Sequence, residues 1–208
     1  MKLLLLFLLA ALLTGCATTH NNLDSFYTHR PQSIVVVPVL NDSPEVTAPS
    51  VFLTTITRPL AEKGYYVFPV YLTDMVLRDF GLTEAGHIHQ LPSSRFYELF
   101  GADAVLFITI KDWSTKYLVL ASTVTVEMEY VLKDTKTGQI LWQHTQPYVE
   151  SSDVGGNPIV MLVSAALTAL LTDYLPLARK ANFMAFQPPK GIPFGSHHPD
   201  YEKDRERF

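Results

Sequence analysis

The sequence predicts one mixed α/β domain, and three observations carry that prediction. Two dense apolar runs, Ile34–Leu40 and Ala104–Ile110, have no wet face and fit strands covered on both sides. Between them Phe52, Ile56 and Leu60 recur at helical spacing. Further on, Val124, Val126, Met128, Tyr130 and Leu132 alternate with Thr123, Thr125, Glu127 and Glu129, the period of two that marks a strand with one solvated face.

In chain order, the first segment is a leader. Lys2 precedes an unbroken apolar stretch of about eleven residues, Leu3–Leu13, where a membrane span needs about twenty. It closes on Leu13-Thr14-Gly15-Cys16, which resembles the bacterial lipobox, the pattern at which a cysteine is lipidated and the chain is cut before it. Cys16 is the one cysteine of the chain, so the mature protein has no internal disulfide to lean on. A multiple-chain lipid on Cys16 would hold stably at a membrane, where a single chain holds weakly. Ala17 stands where an aspartate would resemble an inner-membrane retention signal, which favours the outer membrane. The expected division is therefore a signal peptide over 1–15, a lipidated tether over 16–32, an α/β domain over 33–182 and a Pro-rich extended tail over 183–208.

The tether is polar and aperiodic. The first strand carries Pro38, which cannot donate to a ladder and should loosen pairing there. Asn41-Asp42-Ser43-Pro44 makes a turn. A helix is expected over 49–63, kinked or split by Pro59 and followed by Gly64. A second strand spans 65–70. Thr73 is placed to cap a short helix ending near Phe80 and Gly81, and 82–91 reads as a loop carrying His87 and His89. Pro92 and Ser93 open another short helix that Gly101 closes. After Ala104–Ile110 the alternating strand spans 118–132, Asp134–Gly138 turns, and 139–148 returns as its antiparallel partner. A long helix begins after Pro158 and should stop or bend at Pro176. The aromatics Tyr65, Tyr66, Phe68, Phe107 and Trp142 fall at strand positions and read as core.

Composition narrows function. Removing the leader takes Lys2 from a chain of net charge −4, leaving a mildly acidic protein with no electrostatic footprint for nucleic acid. The pairs His87/His89 and His197/His198 raise the question of metal, but a zinc site needs three or four ligands on rigid elements and no H-E-x-x-H occurs. G-x-S-x-G, P-loop and dinucleotide fingerprints are absent from the sequence. Glu127 and Glu129 share a strand face and could work as paired carboxylates, though an exposed face explains them more simply. No cofactor is implied, and nothing favours an enzyme.

Several stretches resemble a family of bacterial outer-membrane lipoproteins exemplified by a meningococcal genome-derived antigen. They are Ser33–Leu40, the run T-R-P-L-A-E-K-G-Y-Y-V over 57–67, L-F-G-A-D-A-V-L over 99–106, D-T-K-T-G-Q-I-L-W over 134–142 and G-S-H-H-P-D-Y over 195–201. The strand-helix-strand opening, the G-A-D before a strand and the hairpin turn are also similar to a wider set. It includes the curli secretion-channel lipoprotein, the amino-terminal domain of the Tol-Pal translocation protein and the lipoprotein activator of peptidoglycan synthase. The resemblance implies a five-stranded mixed sheet of order 2-1-3-4-5, helices on both faces, and work done through other envelope proteins, a curli-channel-like lipoprotein among them.

The helix after Pro158 points the same way. Between Asp153 and Asp173 there is no charge. Ile159, Leu162, Val163, Ala166, Leu167 and Leu170 form one broad apolar side, and the opposite stripe, Met161, Ser164, Thr168 and Thr172, lacks the Lys or Glu of a wet surface. That stripe is the predicted interface, for a homodimer or another lipoprotein. The sequence thus predicts an outer-membrane lipoprotein, anchored through Cys16 and facing the periplasm. It would act by protein contacts as a secretion or assembly accessory or as a regulator of an envelope enzyme. The alternatives are a binding module for a small molecule, glycan or metal, and an enzyme with an unrecognised site.

Overall fold

The computed structural model describes residues 23–118, 121–153 and 174–208. In order these form α1 (Asp24–His29), β1 (Ser33–Val36), β2 (Leu40–Asn41), α2 (Ala48–Glu62), β3 (Tyr66–Val67), α3 (Val70–Asp79), α4 (Ala85–Ile88), α5 (Ser94–Phe100), β4 (Ala104–Leu118), β5 (Ala121–Asp134), β6 (Ile140–Asp153) and α6 (Tyr174–Ala185). The sheet runs β3-β1-β4-β5-β6, with β2 also on β4. Counting the five strands expected from sequence, that is the order 2-1-3-4-5. β1 pairs in parallel with β3 and β4, β2 pairs in parallel with β4, and β4-β5-β6 are antiparallel. Pro38 has the expected effect: the single apolar run is broken into β1 and β2 around it.

Two apolar layers sandwich the sheet. Against one face α1, α2 and α6 bury Phe26, Phe52, Ile56, Leu60, Ala178 and Ala181 on Ile34, Leu106, Met128, Tyr130 and Trp142. Against the other, α3, α4 and α5 bury Leu77, Ile88 and Phe96 on Val35, Val105 and Phe107. In the larger layer a satisfied polar chain crosses the core. Tyr130 donates its hydroxyl to Asn182 Oδ1 at 2.8 Å, Asn182 Nδ2 donates to Thr55 Oγ1 at 2.7 Å, and Thr55 donates to the Phe52 carbonyl at 2.7 Å. Each member is buried, so its bonds replace the water it has lost.

Several expectations need correction. β4 continues to Leu118 instead of ending at Ile110, because a register shift between Ile110 and Asp112 lets the ladder pass the charged pair Lys111-Asp112. The strand expected over 65–70 is reduced to Tyr66–Val67, and Tyr66, at the sheet edge, is 55% exposed and not core. Thr73 is no cap, since α3 already starts at Val70, and the residue is buried inside it. Part of the loop over 82–91 winds into α4. Pro59 does not split α2. It is itself buried beside Phe52, Ile56 and Leu60, and that packing outweighs one missing helix bond. The helix expected after Pro158 falls largely outside the described residues; the described helix starts at Tyr174, carries Pro176 in its first turn and reaches Ala185, with Leu177, Ala178, Ala181 and Ala185 buried at helical spacing.

The two terminal segments are more involved in the core than their composition suggested. Within the expected tether, Leu23 and Phe26 are buried and α1 forms. Beyond Ala185 the chain makes turns and no further helix or strand, yet Phe186, Ile192 and Phe208 join the larger layer. These apolar side chains, spaced between the prolines and charges, are what draw the tail onto the domain.

Candidate functional site at the C-terminal clasp

The residues singled out from sequence, Cys16 for lipidation and Met161, Ser164, Thr168 and Thr172 for an interface, lie outside the described residues. What the structure does place are the stretches that carried the family resemblance, and it brings them together in two joints.

The first joint closes the starting end of the sheet. Gly101 ends α5 at φ +66°, a left-handed turn that glycine adopts without strain and that delivers Ala102-Asp103 to β4. Asp103 Oδ2 then accepts from Gln32 N at 3.1 Å, Ser33 N at 3.0 Å and Ser33 Oγ at 2.9 Å, tying β1 to the entry of β4. From the hairpin side, Thr135 N donates to the Asp103 carbonyl at 3.0 Å and Thr135 Oγ1 to the Ala102 carbonyl. Asp134 organises that turn by accepting from Lys136 N and Thr137 N at 3.0 and 2.7 Å. The turn over 134–138 falls where the sequence placed it, though Asp134 and Thr135 are buried under this joint.

The second joint clasps the tail to the end of α2. Gly195 N donates to the Lys63 carbonyl at 2.8 Å, His197 N to the Gly64 carbonyl at 3.1 Å, and the buried Tyr65 hydroxyl to the Pro193 carbonyl. Gly64 holds φ +89°, and a Cβ there would stand 2.5 Å from His198 N. A Cβ on Gly195 would stand 2.6 Å from the Gly64 carbonyl oxygen. Only glycine at both positions lets the two backbones approach this closely.

Beside the clasp lies a groove of about 330 Å3 lined by Pro59, Lys63, Phe183, Phe194, His198 and Arg207 among others. A neighbouring recess of about 380 Å3 shares Pro59, Glu62 and Phe183 with it and reaches Arg58 and Arg179. Lys63 is 5% exposed. Its Nζ sits 4.6 Å from the Phe194 ring centre and 5.2 Å from that of Phe208. Burial lowers its pKa to about 8, Asp204 pulling it back up and Arg207 pushing it further down. His198 stacks on Phe194 at 3.7 Å, and Asp204, also buried, accepts from Phe194 N at 2.6 Å.

The histidine pairs do not converge. His87 is exposed, while His89 Nε2 meets the Pro38 carbonyl at 2.9 Å and its ring packs on Phe107 in the smaller layer. Burial lowers the pKa of His89. His197 and His198 belong to the clasp, against the larger layer. Among the described residues no group of three or more His, Cys, Asp or Glu is placed to hold a metal. Glu127 and Glu129 are half-buried on one strand face, with Glu129 3.5 Å from Lys111.

A mixed sheet with helices on both faces makes this an α/β domain. The chain belongs to the family described as "Putative lipoprotein GNA1162-like", whose match covers residues 22–182. A relative described as "Putative lipoprotein NMB1124/NMB1162", from Neisseria meningitidis serogroup B, is 37% identical over 153 residues, 72% of this chain and 71% of that protein. The crystal structure of lipoprotein GNA1162 from Neisseria meningitidis is similar at 36% identity and a TM-score of 0.57, over 69% of this chain and 100% of that one. A PelC dodecamer from Paraburkholderia phytofirmans matches at 14% identity and a TM-score of 0.47, over 74% of this chain and 86% of that one.

Sequence reasoning gave Lys63 no role beyond the end of a helix and missed the groove. Its signal was present in the two stretches 57–67 and 195–201, which meet at the clasp.

Proposed function

We propose that this protein is an outer-membrane lipoprotein, anchored through lipid on Cys16, whose domain faces the periplasm and works by contacts with other envelope proteins. It would serve as a secretion or assembly accessory or as the regulator of an envelope enzyme. Family membership and the Leu13–Cys16 pattern support the anchor. The observation that carries the contact role is the surface of α3, where Tyr71, Leu72 and Met75 are 72%, 54% and 45% exposed, one short link from the edge strand β3 and its exposed Tyr66. Adjacent apolar side chains left in water along one helix mark a face that a partner covers. The uncharged stripe Met161, Ser164, Thr168 and Thr172 remains a second candidate face, for a homodimer or another lipoprotein.

Fractionation tests the anchor: Cys16→Ser should disappear from salt-washed outer membrane, and its persistence there would refute the anchor. Cross-linking in intact cells tests the contacts. Tyr71→Asp with Met75→Glu, or Thr168→Arg, should remove discrete cross-linked species while the domain stays folded; unchanged cross-linking in all variants would discard both faces. A binding role for a small molecule has its own support, in the groove at Lys63.

A further inference from the structure

The carboxylates around Lys63 each have another partner, although the charge of Asp204 also acts on the ammonium. Glu62 pairs with Arg58 at 2.7 Å, Asp200 pairs with Arg207 at 2.9 Å, and Asp204 accepts from Phe194 N at 2.6 Å. Lys63 Nζ itself has neither an ion pair nor a hydrogen-bond acceptor among the described residues, and although the residue is 5% exposed, the ammonium opens onto the groove and is not one of the buried unpartnered polar atoms. An ammonium has three donors to satisfy, and two aromatic faces compensate only part of the lost hydration. The Nζ borders the groove, so an acceptor brought from outside can reach it.

We propose that this groove binds a carboxylate carried on a small apolar body, the carboxylate meeting Lys63 Nζ and the body lying along Pro59 and Phe183. A charged acceptor suits this position better than a neutral one. A charge-assisted bond in a low-dielectric recess is about twice as strong as a neutral one, and it offsets the desolvation that now weighs on the ammonium. The groove and the neighbouring recess each fall in the size range of small-molecule sites, about 300–1,000 Å3. Arg179, exposed at the far recess and without an ion pair among the described residues, offers a second contact to ligands bearing another acceptor. Such a carboxylate has two sources, a free organic acid or the C-terminal residue of a peptide. The inference develops the small-molecule reading and involves neither Cys16 nor α3, so its failure leaves the contact function standing, and the reverse.

The test is calorimetric titration of the detergent-solubilised full-length protein with 3-phenylpropionate and with N-acetyl-Ala-Phe, each against its primary amide. The acids should bind at least about tenfold tighter than the amides, and Lys63→Met should lose that preference while unfolding at no lower temperature than the wild type. Whichever acid binds more tightly identifies the source. Equal binding of acid and amide, no heat from either acid at millimolar concentration, or undiminished binding to Lys63→Met would overturn the proposal. The acid–amide comparison on wild type decides the matter even if Lys63→Met does not fold.

Discussion

The two joints of this domain are built from the same materials and finished differently. At the Asp103 joint, one carboxylate oxygen takes three donors and Thr135 closes the remaining side, so the polar groups answer each other. At the clasp, backbone bonds and a pair of glycines do the holding, and the Lys63 ammonium, open to the groove, has no hydrogen-bond acceptor among the described residues. A joint that satisfies itself explains its residues through the fold alone. One that leaves an ammonium unmet does not, and it is there that a ligand has something to offer.

Four substitutions sharpen this contrast. Gly64→Ala should have the largest effect, about 3 kcal/mol, since it combines a strained positive φ with a clash against tail backbone; urea unfolding within experimental error of wild type would mean the clasp contributes nothing. Asp103→Ala strands the donors of Gln32 and Ser33 and should cost about 2 kcal/mol. A cost smaller than that of Tyr65→Phe would reverse the ranking of the joints. Tyr65→Phe removes one buried hydrogen bond to Pro193 and should cost about 1 kcal/mol in the same assay.

Lys63→Met should have the smallest effect at pH 7, between zero and about 1 kcal/mol of added stability, because a poorly solvated charge is replaced by an apolar chain of similar length. Its signature is in the pH dependence. Lys63 has a folded pKa of about 8 against its ordinary 10.5. Below pH 8 both states hold the proton, and between 8 and 10.5 only the unfolded state does, so wild-type stability gains from Lys63 as pH rises through that window. The surrounding titratable groups, Glu62, His198, Asp200, Asp204 and Arg207, stay in the variant. The wild-type minus variant difference should therefore climb from pH 8 to 10.5, and a flat difference would show that Lys63 is solvated.

The strands, the hairpin turn and the glycine helix ends were legible because local periodicity and turn chemistry determine them. Gly81, Gly101 and Gly138 all hold the positive φ that their positions called for. Where sequence reasoning failed, the decision was made by distant residues. Tyr66 sits in a strand pattern but at the edge of the sheet, and only the pairing order shows that. Pro59 disfavours helix locally, and packing on the sheet overrides it. Lys63 looks like a solvent cation until residues 193–208 cover it. The groove is therefore invisible as chemistry in the sequence, although stretches 57–67 and 195–201, which build it, both carry the family resemblance.

The clasp also bears on when the domain can be finished. Tyr65 bonds to a residue 128 positions further along, and Gly64 to one 133 positions along. Contacts of such sequence separation form late, because a long loop must be closed before they return anything. Until the tail arrives, the side of the larger layer that receives Phe186, Ile192 and Phe208 stays open. A chain of this design remains incompletely folded while most of it is already made, the condition in which an unfolded polypeptide is still able to cross a membrane.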